Sequence, residues 1–202
     1  SPPPPMPPPP PPPVDFPHSC LPGNSRFNEG VGEIATEVQG YAFYVYVNNI
    51  TTNSFTVNIQ PNPTCEPSLS GRTDCCNTQF KKTEFVIGSE CRNAIANIYS
   101  PGPSFPLAPS YQIFTYPVTI PPEMADNPSP LTGKIVNLFS SAGQSTRFTV
   151  TLKTFGPCQT LETFLPYGYW YAAYGDTYKI DACCGQENVG PLIPGGSTAM
   201  RP

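Results

Sequence analysis

Arg147-Phe148-Thr149-Val150-Thr151-Leu152-Lys153 is the stretch whose reading decides the fold. In an extended chain Phe148, Val150 and Leu152 fall on one side and Arg147, Thr149, Thr151 and Lys153 on the other. That period of two puts one face of a strand in a core and the other in water, and it predicts a strand within Thr146 to Phe155. Outward from it, short aromatic and β-branched runs recur between Pro, Gly and Asn clusters, at Tyr41 to Val47, Phe55 to Ile59, Thr83 to Ile87, Gln112 to Thr115 and Lys134 to Phe139. No long stretch keeps a 3.6-residue apolar period free of Gly and Pro, so helix is expected only in short pieces, at Glu90 to Ala96 and Thr160 to Phe164. The expected fold is mainly β, a disulfide-stapled antiparallel β-sandwich-like domain with little helix.

The chain has 202 residues and its ends differ from its middle. Residues 2 to 13 hold eleven prolines and Met6. Such a run donates no backbone hydrogen bonds and avoids the α region, so it is read as a polyproline II arm over residues 1–13, about 40 Å long at roughly 3.1 Å per residue. The arm is either a stiff spacer or a ligand for an aromatic groove on another copy or a partner. The domain is expected over 14–189, and the Gly/Pro/Ser-rich stretch 190–202 reads as a tail or linker. The chain starts at Ser1 with neither a methionine nor an apolar leader, as expected of a processed exported chain or of a fragment.

Charged residues make up 12% of the chain and the net charge is -4, too little positive charge for phosphate-backbone binding, so nucleic acid is not an expected partner. The longest apolar stretches, Tyr41 to Val47 and Phe164 to Tyr174, fall short of the roughly 20 residues of a membrane-spanning helix. The eight cysteines are Cys20, Cys65, Cys75, Cys76, Cys91, Cys158, Cys183 and Cys184. An even count in a chain poor in charge and rich in Tyr, Thr, Asn and Pro points to oxidised thiols outside the cytosol. No CxxC occurs, and vicinal cysteines aim poorly at one metal, so disulfides are expected rather than a metal site. Neighbouring cysteines rarely bond each other, so each member of the two vicinal pairs is expected to reach away and tie distant strands together.

The block from Cys65 through Cys75-Cys76, Lys82-Thr83-Glu84-Phe85-Val86 and Cys91 resembles the pherophorin domain, a module of extracellular matrix glycoproteins in volvocine green algae. The resemblance continues through Lys134-Ile135-Val136-Asn137-Leu138, the Phe148 to Lys153 strand, Cys158-Gln159-Thr160-Leu161-Glu162 and Cys183-Cys184, and begins at Phe16-Pro17 with Cys20. It covers about residues 14 to 185. A proline-rich run beside the domain is likewise a family trait. Relatives carry further cysteines where this chain has Ser19, Ala42 or Phe43, Arg147 or Phe148, Leu165 and Trp170, so the resemblance assigns no pairing here. Two cysteines replaced by Leu165 and Trp170 would exchange a bridge for an aromatic contact. The resemblance implies that Pro2, Pro3, Pro4, Pro5, Pro7, Pro8, Pro9, Pro10, Pro11, Pro12 and Pro13 are hydroxylated and bear short sugar chains.

Catalysis is not expected. His18 is the one histidine and sits at the hinge beside Cys20, whereas general-base work needs an oriented imidazole. Nucleophile-elbow, zincin, P-loop and dinucleotide motifs are missing, and Glu84, Glu162 and Asp181 are scattered rather than paired. No cofactor is implied. Tyr167, Tyr169, Trp170, Tyr171 and Tyr174 concentrate flat amphipathic rings, which serve either as alternate core residues of a strand or as a platform for polyproline or sugar. Asn49-Ile50-Thr51 is the one acceptable N-glycosylation sequon, since Asn62-Pro63-Thr64 and Asn127-Pro128-Ser129 are blocked by proline. The leading reading is a secreted structural glycoprotein of the extracellular matrix, cell wall or cell or ciliary surface. Its partners are other copies or related matrix glycoproteins, or glycans, and docking of the arm on a neighbouring domain would build fibres. A carbohydrate-binding module and a diffusible signal of the sex-inducer type are the alternatives.

Overall fold

A computed structural model of the chain describes residues 41–67, 75–101, 109–114, 131–136, 138, 143–165, 168, 170–175 and 192, with the backbone alone at 21–22, 24–27, 34–37 and 184–189. Twelve strands are described: β1 (Leu21–Pro22), β2 (Asn24–Phe27), β3 (Ile34–Glu37), β4 (Phe43–Asn48), β5 (Ser54–Pro61), β6 (Lys82–Ile87), β7 (Ile95–Tyr99), β8 (Ser110–Phe114), β9 (Leu131–Val136), β10 (Thr146–Leu152), β11 (Trp170–Gly175) and β12 (Cys184–Val189). One helix, α1 (Leu161–Phe164), precedes β11. The strands form two six-stranded sheets, ordered β1-β12-β11-β6-β9-β8 and β2-β3-β4-β5-β10-β7. All pairings are antiparallel except the short one of β1 with β12.

The deciding stretch lies in the second sheet, one strand in from its β7 edge. β10 pairs with β5 on one side and β7 on the other, with Phe148 opposite Val57 and Val150 opposite Phe55 and Ile98. Phe148, Val150 and Leu152 are buried while Arg147 is exposed, as the alternation requires. Each of the three buried side chains contributes on the order of 2 kcal/mol. β4 alternates in the same way, burying Phe43, Val45 and Val47. The two inner faces close on each other through rings: Phe55 of β5 meets Trp170 of β11 edge-on at 5.1 Å, and Phe43 of β4 meets Phe80 at 6.1 Å. One core cluster spans both sheets and includes Leu165 and Trp170.

Six of the twelve strands coincide with the expected runs to within a few residues. One expectation is corrected. Glu90 to Ala96 is not helical: Cys91 N donates to Gly88 O and Ala94 N to Cys91 O, two successive tight turns, and the chain is then extended as β7. The second sheet overrides the local helical pattern, because Ile95 and Ile98 bury only when the chain pairs with β10. The short helix expected at Thr160 to Phe164 is present, and Leu165 N closes its turn on Leu161 O at 2.9 Å. Its end docks on Gly88, whose N–H donates to Phe164 O. A Cβ at Gly88 would sit 2.7 Å from Thr163 O, so this close approach requires glycine.

Candidate functional site

Five cysteines are bridged among the described residues. Cys91 and Cys158, 67 residues apart with Cα atoms 5.3 Å apart, join the turn before β7 to the loop after β10. Cys65 and Cys76, only 11 residues apart, close a local loop between β5 and β6 rather than tying distant strands together, which corrects the expectation for that cysteine. Cys75 is bridged as well, and not to its neighbour Cys76. Cys20 and Cys183 lie outside the described residues, and Cys184 is described only as backbone of β12.

The aromatic segment divides. Trp170 is 0% exposed and Tyr174 is 1% exposed. Phe85 stacks on Trp170 with centroids 4.9 Å apart, and the indole N–H donates to the Tyr174 hydroxyl at 2.9 Å. Tyr41 closes the group by donating its hydroxyl to Tyr174 O at 3.1 Å. These are buried rings with their polar ends satisfied inside the core, so Trp170 and Tyr174 offer no ring face to a ligand. That corrects the platform reading for these two. Tyr167, Tyr169 and the side chain of Tyr171 lie outside the described residues, as do His18, the proline run and the tail.

The sequon occupies the turn joining β4 to β5. Asn49 is exposed and adopts φ 50°, a left-handed conformation that asparagine tolerates. Thr51, also exposed, shapes the turn by accepting from Ser54 N at 3.0 Å and pairing with Ser54 Oγ at 2.7 Å. Asn62, of the first blocked sequon, is buried. Its amide donates to Tyr41 O and its carbonyl accepts from Thr64 N and Oγ1, so it is closed to modification by packing as well as by proline.

The outward face of the second sheet is the surface that sequence reading left unassigned. Across β4, β5, β10 and β7 run Asn48, Thr56, Thr149 and Tyr99 in one row of paired positions, beside rows holding Tyr46, Asn58 and Arg147, and Ser54, Thr151 and Asn97; Thr56 and Asn58 on β5 are buried, and the exposed members are Arg147, Asn97 and Tyr99. Thr56 and Thr149 share a hydroxyl contact at 2.9 Å, and Asn58 Nδ2 donates to Asn48 Oδ1. Beyond β10 the row continues to Lys153, whose Nζ lies 5.8 Å from the centroid of the Phe155 ring. Glu90, Arg92, Asn93, Lys153 and Phe155 line a cleft of about 170 Å³ there. The alternation of Arg147, Thr149, Thr151 and Lys153 was a visible signal for this face, but its neighbours Asn97 and Tyr99 on β7 fell in no expected strand. No group of acidic, His and Cys side chains able to hold a metal ion occurs among the described residues.

A family model described as Pherophorin matches residues 34–185, from the start of β3 into β12. The chain belongs to the pherophorin family. Pherophorins are extracellular matrix glycoproteins, a structural rather than an enzymatic family, and in this one the match takes in ten of the twelve strands. Neither a curated protein nor a solved structure matches the chain. No described helix of this pherophorin is long and apolar enough to cross a membrane.

Proposed function

We propose that this pherophorin is a secreted structural glycoprotein whose domain, residues 14–189, is a rigid node and whose proline arm, residues 1–13, links it to the next copy. The observation that carries the reading is the position of β1 at the edge of the first sheet. In sequence only eight positions separate Pro13, the last residue of the proline run, from Leu21 at that edge. Proline has no N–H to add to a ladder, so the arm projects from the domain instead of widening its sheet. Hydroxylation and short sugar chains on Pro2 to Pro5 and Pro7 to Pro13 stiffen and hydrate it.

The arm docks on aromatic side chains of a neighbouring domain, with Tyr167, Tyr169 and Tyr171 as the candidate rings now that Trp170 and Tyr174 belong to the core. The contact is heterologous and does not close, so copies add head to tail into a fibre. Electron microscopy of native material tests this: filaments with one domain per repeat are expected, and a chain lacking residues 1–13 should stay monomeric. Dispersed native monomers, or filaments formed without residues 1–13, would exclude arm-mediated assembly.

A further inference from the structure

The outward side of β10 departs in charge from the rest of the chain. Arg147 and Lys153 stand six positions apart on one row, about 20 Å at roughly 3.3 Å per residue, with the hydroxyls of Thr149 and Thr151 between them. Arg92 adds a third cation at the Lys153 end, and Glu90 is the one carboxylate lining that cleft. This cationic strip lies on a chain of net charge -4. Its two flanking rings are the large exposed hydrophobics of the described residues: Tyr99, 59% exposed and paired in register with Thr149, and Phe155, 69% exposed beside Lys153.

Exposed rings, half-buried hydroxyls and spaced cations along and beside one strand match a specific ligand chemistry. A pyranose packs its C–H face on an aromatic ring while its hydroxyls exchange hydrogen bonds with Thr and Asn. A sulfate or carboxylate on the sugar pairs with Arg as a planar fork and with Lys as a point charge. A neutral glycan would leave Arg147 and Lys153 unused. Nucleic acid needs a denser run of cations than three set against a carboxylate. We propose that the β10 strip, from Arg147 to the Lys153–Phe155 cleft, binds a linear acidic polysaccharide laid along the strand. The site does not rest on head-to-tail assembly: strip variants that lose the polysaccharide still form filaments, and a chain whose arm fails to dock keeps the strip.

The test uses the full chain on immobilised dextran sulfate, polygalacturonate and unmodified dextran, at low and at physiological salt. Binding to one or both polyanions, weakened by salt, and none to dextran is expected. The two polyanions distinguish sulfate from carboxylate as the recognised group. Arg147→Gln and Lys153→Gln should each weaken binding about fivefold, and Tyr99→Ala or Phe155→Ala by a similar factor. Lys81→Gln, on the approach to β6 in the other sheet, should change nothing. Melting temperatures are recorded for every variant, and Lys153→Glu provides a second charge variant should a neutral one disturb folding. Failure to bind either polyanion, equal binding of dextran, or folded strip variants that bind as the parent does would overturn the proposal.

Discussion

Gly133 is where this core is least able to accept an added atom. It faces Phe85 across the β6–β9 pair, and the Phe85 ring lies directly over it. A Cβ at position 133 would overlap Phe85 Cζ and Cε2 well inside van der Waals contact and reach Cε1 at 2.8 Å. The ring cannot tilt away, because it is stacked on Trp170, which is held by its hydrogen bond to Tyr174 and by the edge of Phe55. Overpacking of this kind costs about 1–3 kcal/mol, and the smaller unfolded-state entropy of alanine returns about 0.4–1 kcal/mol of it. Gly133→Ala is therefore expected to destabilise by roughly 1–2 kcal/mol, lowering the melting temperature by about 4 °C in a domain of this size. Thermal melts with the disulfides intact measure it. Phe85→Leu in the same chain should relieve the clash, so the double variant is less destabilised than the sum of the singles by at least about 1 kcal/mol. A Gly133→Ala chain as stable as the parent, or strict additivity with Phe85→Leu, would refute the idea that the ring is pinned.

Three further outcomes follow from the same core and its surface. Replacing both Cys91 and Cys158 by Ser should cost about 4 kcal/mol, and replacing both Cys65 and Cys76 about 3 kcal/mol, because the first pair closes 67 residues and the second 11; urea titration ranks them, and the reverse order counts against the loop-entropy account. Tyr174→Phe leaves the buried Trp170 N–H without its acceptor and should destabilise by about 1–3 kcal/mol; emission of the single tryptophan should be blue-shifted and resist iodide quenching until the protein unfolds, and ready quenching in the native state would place that ring at the surface. Asn49→Gln in the native producer should remove the mass of one N-glycan without altering the melting temperature, since Asn49 is exposed on a turn; an unchanged mass would show the sequon unused.

What the sequence made legible was whatever depends on local periodicity. β10 and β4 are buried on one face and half open on the other, and their alternating patterns show it directly. β7 was hidden because its pattern, with Ala96 and Asn97 exposed between buried Ile95 and Ile98, places apolar residues three apart as a helix does. Its extended form is decided by pairing with β10, a tertiary event with no local trace. The candidate site was half legible for the same reason: β10 showed its outward row, while Tyr99 joins that row only through the register of two strands about fifty residues apart in sequence. The aromatic segment was legible as chemistry and ambiguous as location, because alternating rings satisfy a core and a platform equally well.

The strands differ in whether one or both of their faces are covered, and this limits where a partner can act. On β6 the inward Phe85 and Ile87 are fully buried, yet so are Lys82 and Val86 on the opposite face, at 4% and 1% exposure. Lys82 is held there by Glu84, with Nζ and Oε1 3.1 Å apart. A lysine so enclosed is retained because it is paired, and removing either partner would strand a charge under cover. Both faces of β6 are thus interior, which is why Lys82-Thr83-Glu84-Phe85-Val86-Ile87 lacks the clean alternation of β10. On the second sheet the outward Thr56 and Asn58 of β5 are covered as well, at 4% and 5% exposure, whereas Thr149 and Thr151 of β10 are half-buried and Arg147 is exposed. A ligand approaching the second sheet from outside therefore finds the β10–β7 margin accessible and β5 closed, and that margin carries Arg147, the Thr149 and Thr151 hydroxyls and Tyr99 together.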